Sequence, residues 1–174
     1  MKQKWRRYWP VIAVAIAALA VVIVHLAVEW FTRKPPNYSQ IEEELFLGGF
    51  VASPPPGTKV VLNLCEMEDG YNAEVHRWEP IRDAEPVPTL EWLRRQVEFI
   101  DGERRAGHSV FVHCLNGVSR SGMVMVAYLM WRDGLSRDRA LEIVQTKRPM
   151  VRPNLAFMEL LLEWEKSLKG RVGG

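Results

Sequence analysis

From Trp9 to Val28 the chain runs for 20 residues without a formal charge, and His25 is the only strongly polar side chain among them. Few folds accommodate such a segment. In water it would have to be buried on every side. In lipid a helix satisfies its own backbone groups, and at 1.5 Å per residue twenty residues cover a hydrocarbon core of about 30 Å. Trp5, Tyr8 and Trp9 precede the run and Trp30 and Phe31 follow it, the placement of an interfacial aromatic belt. A cleaved signal peptide fits less well, because the run exceeds the usual apolar region and Ala27-Val28-Glu29 offers no small-x-small cleavage site. The expectation is an uncleaved membrane anchor in residues 1–34, with a single transmembrane helix at about 9–30 and His25 near its interface. Charge divides at the same place: residues 1–34 carry +5 and residues 35–174 carry −3, so the formal +2 belongs to the anchor. A slightly acidic remainder gives no basic face, and no nucleic-acid partner is expected. Lys2, Lys4, Arg6 and Arg7 outnumber Arg33 and Lys34, which puts the N-terminus in the cytoplasm by the positive-inside rule.

Pro35-Pro36-Asn37 stops the helix, residues 35–40 read as a linker, residues 41–168 as one domain, and residues 169–174 as a flexible tail. Within the domain, Leu45-Phe46-Leu47, Lys59–Leu64 and Val110–His113 read as short apolar strands, and Val75–Ile81 holds another, interrupted by Pro80. Thr89 looks like the N-cap of a helix carrying Leu90, Leu93, Val97 and Ile100 on one face, stopped by Gly107. A Met- and Ala-rich helix runs from Ser121 to Trp131. Ser136 and Asn154 cap two more. Strands separated by helices predict an α/β fold with a central, mostly parallel sheet flanked by helices.

The chemistry sits between a buried strand and the apolar helix, in His113-Cys114-Leu115-Asn116-Gly117-Val118-Ser119-Arg120-Ser121. A loop in that setting can aim successive backbone N–H groups into one concavity, and the following helix adds its unpaired N–H groups and positive dipole end. Leu115 to Arg120 would then cradle a phosphate, with the planar fork of Arg120 gripping two oxygens. Gly117 supplies backbone freedom. The same field stabilises a thiolate on Cys114, poised for in-line attack on phosphorus and a phosphocysteine intermediate. The leaving oxygen then needs an acid, and the second step needs a base to activate water. No metal or other cofactor is expected, since no His and carboxylate cluster has ligand spacing.

The segment His113-Cys114-x-x-Gly117-x-Ser119-Arg120-Ser121 resembles the Cys-x5-Arg signature of the protein tyrosine phosphatase superfamily, and the dual-specificity branch in particular. Leu45–Gly48 is similar to that family's opening strand. Arg148-Pro149, Pro153-Asn154 and Phe157 are similar to the segment before its last helix. The resemblance covers residues 41–168 and implies that Asp83, 31 positions before Cys114 and between Pro80 and Pro86, is the acid. Asp69, Glu79 and Glu85 are its competitors, read as mostly solvated carboxylates. It implies that Ser121 stabilises the departing thiolate, besides any N-capping, and that His113 supports the loop rather than acting as a base. His76 and His108 read as ordinary surface or loop residues.

Cys65, the other cysteine, is either a small buried thiol or a redox partner. In some lipid-directed members of the superfamily a Cys after a similar strand forms a reversible disulfide with the catalytic one, which would pair Cys65 with Cys114. The resemblance implies phosphotyrosine, phosphoserine or phosphothreonine of proteins as substrate, because no separate phosphotyrosine clamp is present. A phospholipid headgroup is the alternative, suggested by the anchor but not by the loop, where Leu115, Asn116 and Val118 add no basic charge. A catalytically dead phosphate-binding module would be expected to lack Cys114, Arg120 or the acid, and all are present. Rhodanese-like sulfur transfer fits the Ser-Arg-Ser-Gly continuation into a helix less well. A reactive thiolate in an oxidising compartment is at risk, which opposes the positive-inside reading and leaves the side occupied by the domain open.

Overall fold

Val and Leu dominate the strands of this chain, and its computed structural model, described for residues 8–32 and 35–169, shows what they bury. It contains two compact units, Met1–Pro35 and Pro36–Gly174. The first holds helix α1, Trp9–Thr32, whose span Trp9–Val28 is long and apolar enough to cross a membrane.

In the second unit five strands form one sheet in the order β1-β2-β5-β3-β4: β1 Tyr38–Glu42, β2 Leu45–Gly48, β3 Val60–Asn63, β4 Val75–Trp78 and β5 Val110–His113. β1 runs antiparallel to β2, and the remaining pairings are parallel. β3 and β5 are buried at every position, which is why they read as continuous apolar runs rather than alternating ones. Edge strand β4 alternates between half-buried and exposed residues. Gly48, Asn63 and Trp78 end their strands in register with His113, directly or through β3, so the loops that follow all leave from one edge of the sheet.

The helices cover this sheet. Helix α2, Leu90–Arg105, begins at Thr89, whose hydroxyl accepts from the Trp92 N–H at 3.1 Å. Helix α3, Arg120–Asp133, is buried from Arg120 through Met130 and packs against α2, against α4 (Arg137–Lys147) and against α5 (Leu155–Lys169). Ser136 caps α4, and the Asn154 side chain accepts from the Phe157 N–H at the start of α5. The Trp164 indole donates to the Ala127 carbonyl at 3.1 Å and ties α5 to α3.

Two differences from the sequence expectation bear on the site. Residues 38–40, expected in the linker, belong to β1, so the opening strand is Tyr38–Glu42 and not Leu45–Gly48. Glu42 holds β1 in place through Arg132, with Nη2 at 2.7 Å, and Arg104, with Nη1 at 2.9 Å. The central helix starts one residue early, at Arg120. Ser121 therefore lies inside the helix, and Ser119 stands at the N-cap without a side-chain capping bond.

Candidate active site

Residues 114–119 join β5 to α3, and this short loop closes around the sulfur of Cys114. The Gly117 N–H donates to Cys114 Sγ at 3.3 Å, and the Ser121 hydroxyl lies 3.2 Å from it. Both the thiol and the hydroxyl are buried. Burial raises the pKa of Cys114, but the Ser121 side chain and the N–H groups of Ser121, Gly117 and Val118 outweigh it and hold the thiol below its ordinary range. The sulfur is thus arranged as an anion among donors.

The turn demands glycine. Gly117 has φ +68°, and a Cβ there would come within 2.4 Å of the Gly48 carbonyl carbon and 2.5 Å of the Gly49 N. Behind it stands Arg148, buried, with Nε donating to the Gly117 carbonyl at 2.8 Å and Nη2 to the Asn116 carbonyl at 3.1 Å and to Asn37 Oδ1 at 2.6 Å. Drawing two loop carbonyls outward fixes the peptide planes whose N–H groups face inward. Burial depresses the Arg148 pKa, and negative charge at Cys114 opposes that. The sequence places Arg148-Pro149 only by likeness to a family segment. Its action on a loop 31 residues away arises from packing.

Arg120 begins α3, buried beside the loop, with Nη1 donating to the Ile81 carbonyl at 3.1 Å and 3.6 Å from Glu66 Oε2. The expected acid lies on the same segment as Ile81. Asp83 Oδ1 accepts from the Ser119 hydroxyl at 2.6 Å and from Asn154 Nδ2 at 2.8 Å, so an exposed carboxylate is pinned at the loop's mouth. Asn154 serves twice, capping α5 with its oxygen and fixing Asp83 with its nitrogen.

One expectation about a neighbouring residue fails. Asp69 is not a solvated carboxylate: its side chain is fully buried, with Oδ2 2.9 Å from His113 Nε2 and Oδ1 2.7 Å from His76 Nε2. His76, as expected, is an exposed residue of edge strand β4, and its imidazole reaches inward to the buried Asp69 carboxylate. Burial lowers the His113 pKa, with the Asp69 carboxylate pulling the other way, so a neutral His113 donates from Nε2 to Asp69. His113 ends β5, directly before the loop. His108, as expected, stands apart from this site and pairs with Glu103.

Cys65 follows β3 at the same sheet edge. Its thiol and that of Cys114 are both free and buried. Burial, then negative charge at Cys114, push the Cys65 pKa up to about 12. The site thus separates two thiols into one stabilised as thiolate and one kept protonated. Leu115, Asn116 and Val118 line the loop without adding a charge, and Leu115 is exposed.

The family model for the dual specificity phosphatase catalytic domain matches residues 57–167. Human dual specificity protein phosphatase 8 is 43% identical over 90 residues, which are 52% of this chain and 14% of that protein. Across similar curated relatives the matched part is 14–24% of their length, so the chain spans a minor part of them. Among solved structures, human DUSP28 superposes with a TM-score of 0.71 at 29% identity, covering 78% of this chain and 97% of that one. The structure of PTPMT1 in complex with PI(5)P, at 23% identity and a TM-score of 0.69 over 79% of this chain and 99% of that one, shares the fold.

Proposed function

The chain belongs to the dual specificity phosphatase catalytic-domain family, and from that premise we propose that it is a membrane-anchored phosphatase that hydrolyses phosphomonoesters through a phosphocysteine intermediate. The observation that carries this reading is the Cys114 sulfur held between the Gly117 N–H and the Ser121 hydroxyl at 3.3 and 3.2 Å.

In the first step the Cys114 thiolate attacks phosphorus. An S–P bond forms as the P–O bond to the leaving group breaks. Asp83, protonated, gives its proton to the departing oxygen. Loop N–H groups and Arg120 stabilise the equatorial oxygens, whose charge must be met without reorganisation. In the second step Asp83, now ionised, takes a proton from water. The resulting hydroxide attacks phosphorus, and the S–P bond breaks to return the thiolate. The Ser121 hydroxyl donates to that sulfur as its charge reappears. Arg148 and the Asp69–His113 pair act on the loop and touch no reacting atom.

The names of the curated relatives support phosphoproteins as substrates, on tyrosine and on serine or threonine. The uncharged loop positions Leu115, Asn116 and Val118 support a substrate with one phosphate at the site. Helix α1 supports an anchor in the bilayer, with the N-terminus on the cytoplasmic side by the positive-inside rule. The test is hydrolysis of an aryl phosphate by the detergent-solubilised full chain. Cys114→Ser abolishes turnover if the reading holds, and retained turnover in that variant overturns it.

A further inference from the structure

Large apolar side chains left exposed on the second unit are not scattered. Seven are exposed among its described residues, and six of them, Phe50, Met67, Trp78, Leu115, Met150 and Leu155, stand around the phosphate loop. Their placement follows from the chain. Phe50 donates its N–H to the Leu115 carbonyl at 2.9 Å. Trp78 ends β4 and donates its indole N–H to the Cys65 carbonyl, and the Met67 carbonyl accepts from the Asn63 side chain at the end of β3. Met150 lies between Arg148 and Arg152, which bond the loop at Gly117 and Val118. Leu155 follows Asn154, which holds Asp83, and is 85% exposed. A soluble domain gains nothing by gathering its exposed apolar surface at one edge, and such a patch marks a docking surface.

The point where the chain joins this edge identifies the partner. Asn37 is fastened to the phosphate loop's own support: its carbonyl accepts from the Gly49 N–H at 2.8 Å and its side chain accepts from Arg148 at 2.6 Å. Only residues 33–36 separate Asn37 from the end of α1 at Thr32. A chain extends at most about 3.6 Å per residue, so whatever these residues do, Asn37 stays within roughly 18 Å of that helix end. If α1 spans the bilayer, that tether leaves a lipid surface within reach of the loop. Exposed charges at the edge are of both signs with acids in excess, Glu66, Glu68, Asp83 and Glu85 against Arg82 and Arg152. Apolar insertion, rather than attraction to an anionic surface, is the force available.

We propose that this apolar rim docks on the phospholipid bilayer in which α1 sits, seating the phosphate loop on lipid-borne phosphomonoesters. The inference rests on the phosphatase reading and adds membrane lipid phosphomonoesters to the phosphoproteins that the relatives' names support. A monophosphate such as phosphatidic acid fits, because the loop offers no further cation for a second phosphate.

Two measurements on the full chain in phosphatidylcholine vesicles test it. One needs no activity: brominated phosphatidylcholine quenches tryptophan, and comparing the parent with Trp78→Phe isolates the share due to Trp78. Docking predicts that this share is quenched, and an unquenched Trp78 overturns it. The other uses vesicles containing phosphatidic acid and reports its hydrolysis relative to that of a soluble aryl phosphate in the same preparation, which cancels orientation. The triple variant Met67→Ser, Met150→Ser, Leu155→Ser leaves aryl phosphate turnover within twofold and lowers the lipid rate at least tenfold. An unchanged ratio overturns the proposal, as does loss confined to phosphopeptide substrates, which would assign the rim to a protein. Quenching of Trp78 without any aryl phosphate turnover would sink the phosphatase reading and leave the docking intact.

Discussion

Replacing Arg148 separates the loop's geometry from the residues that touch substrate. Its guanidinium makes three hydrogen bonds, to the Gly117 carbonyl, the Asn116 carbonyl and Asn37 Oδ1, at 2.8, 3.1 and 2.6 Å. Each bond from a charged donor contributes about 1.5–3 kcal/mol when taken singly. Arg148→Met breaks all three, but it also removes a buried charge whose desolvation opposes them. The net loss should be about 2–4 kcal/mol. For a domain of this size each kcal/mol lowers Tm by about 3–4 °C, so the transition falls by roughly 6–16 °C. The effect on catalysis is separate. With the Asn116 and Gly117 carbonyls released, the loop N–H groups lose their aim, and losing preorganised donors costs about 10²–10³ in rate. Turnover of an aryl phosphate, measured well below the variant's transition, should fall by that factor. Arg148→Lys keeps the charge but cannot fork between two carbonyls, and it should recover stability more than rate. A variant with lowered Tm and full turnover would refute the reasoning and leave Arg148 as a packing residue only.

Alkylation should separate the two cysteines. The group with the lowered pKa, Cys114, is thiolate at pH values where a free thiol is still protonated, and its reactivity is lost only as pH falls through that lowered value. Cys65, pushed up to about 12, stays protonated across the same range. Peptide mapping after iodoacetamide at pH 7 should therefore find Cys114 modified and Cys65 not, and parallel labelling would contradict the assignment. Asp83→Asn should slow hydrolysis by about 10²–10⁴ when the leaving group is a poor one such as phenoxide. The loss should be much smaller for a nitrophenolate, which leaves without a proton, and equal losses would argue against a proton donor at that position.

Much of the fold was legible because it follows from local patterns. β3 and β5 announce themselves as apolar runs because both their faces are covered. Thr89, Ser136 and Asn154 cap the helices they precede. β1 was not legible: Tyr38-Ser39-Gln40-Ile41-Glu42 has one fully buried residue and follows two prolines, and it becomes a strand through pairing with β2 and the grip of Arg132 and Arg104 on Glu42. Within the site, Cys114, Arg120 and Ser121 are contiguous, so spacing alone brings them together. Asp69 and Arg148 act across 44 and 31 residues respectively. A carboxylate in a loop rich in Glu and Asp carries no local sign that it will be buried against two histidines. Only the sheet edge, which gathers the loops after β3, β4 and β5, makes Asp69, His76 and His113 neighbours.

The central claim is that Cys114 carries the phosphoryl group, and trapping that species tests it most directly. Asp83→Asn protein mixed with nitrophenyl phosphate, whose leaving group needs no proton, and quenched in acid within the first turnover should yield a peptide containing Cys114 with one added phosphoryl group, labile in the manner of a thiophosphate, and Cys114→Ser should yield none. A first burst of phenol without phosphate on that peptide, or phosphate on any other residue, would contradict the account.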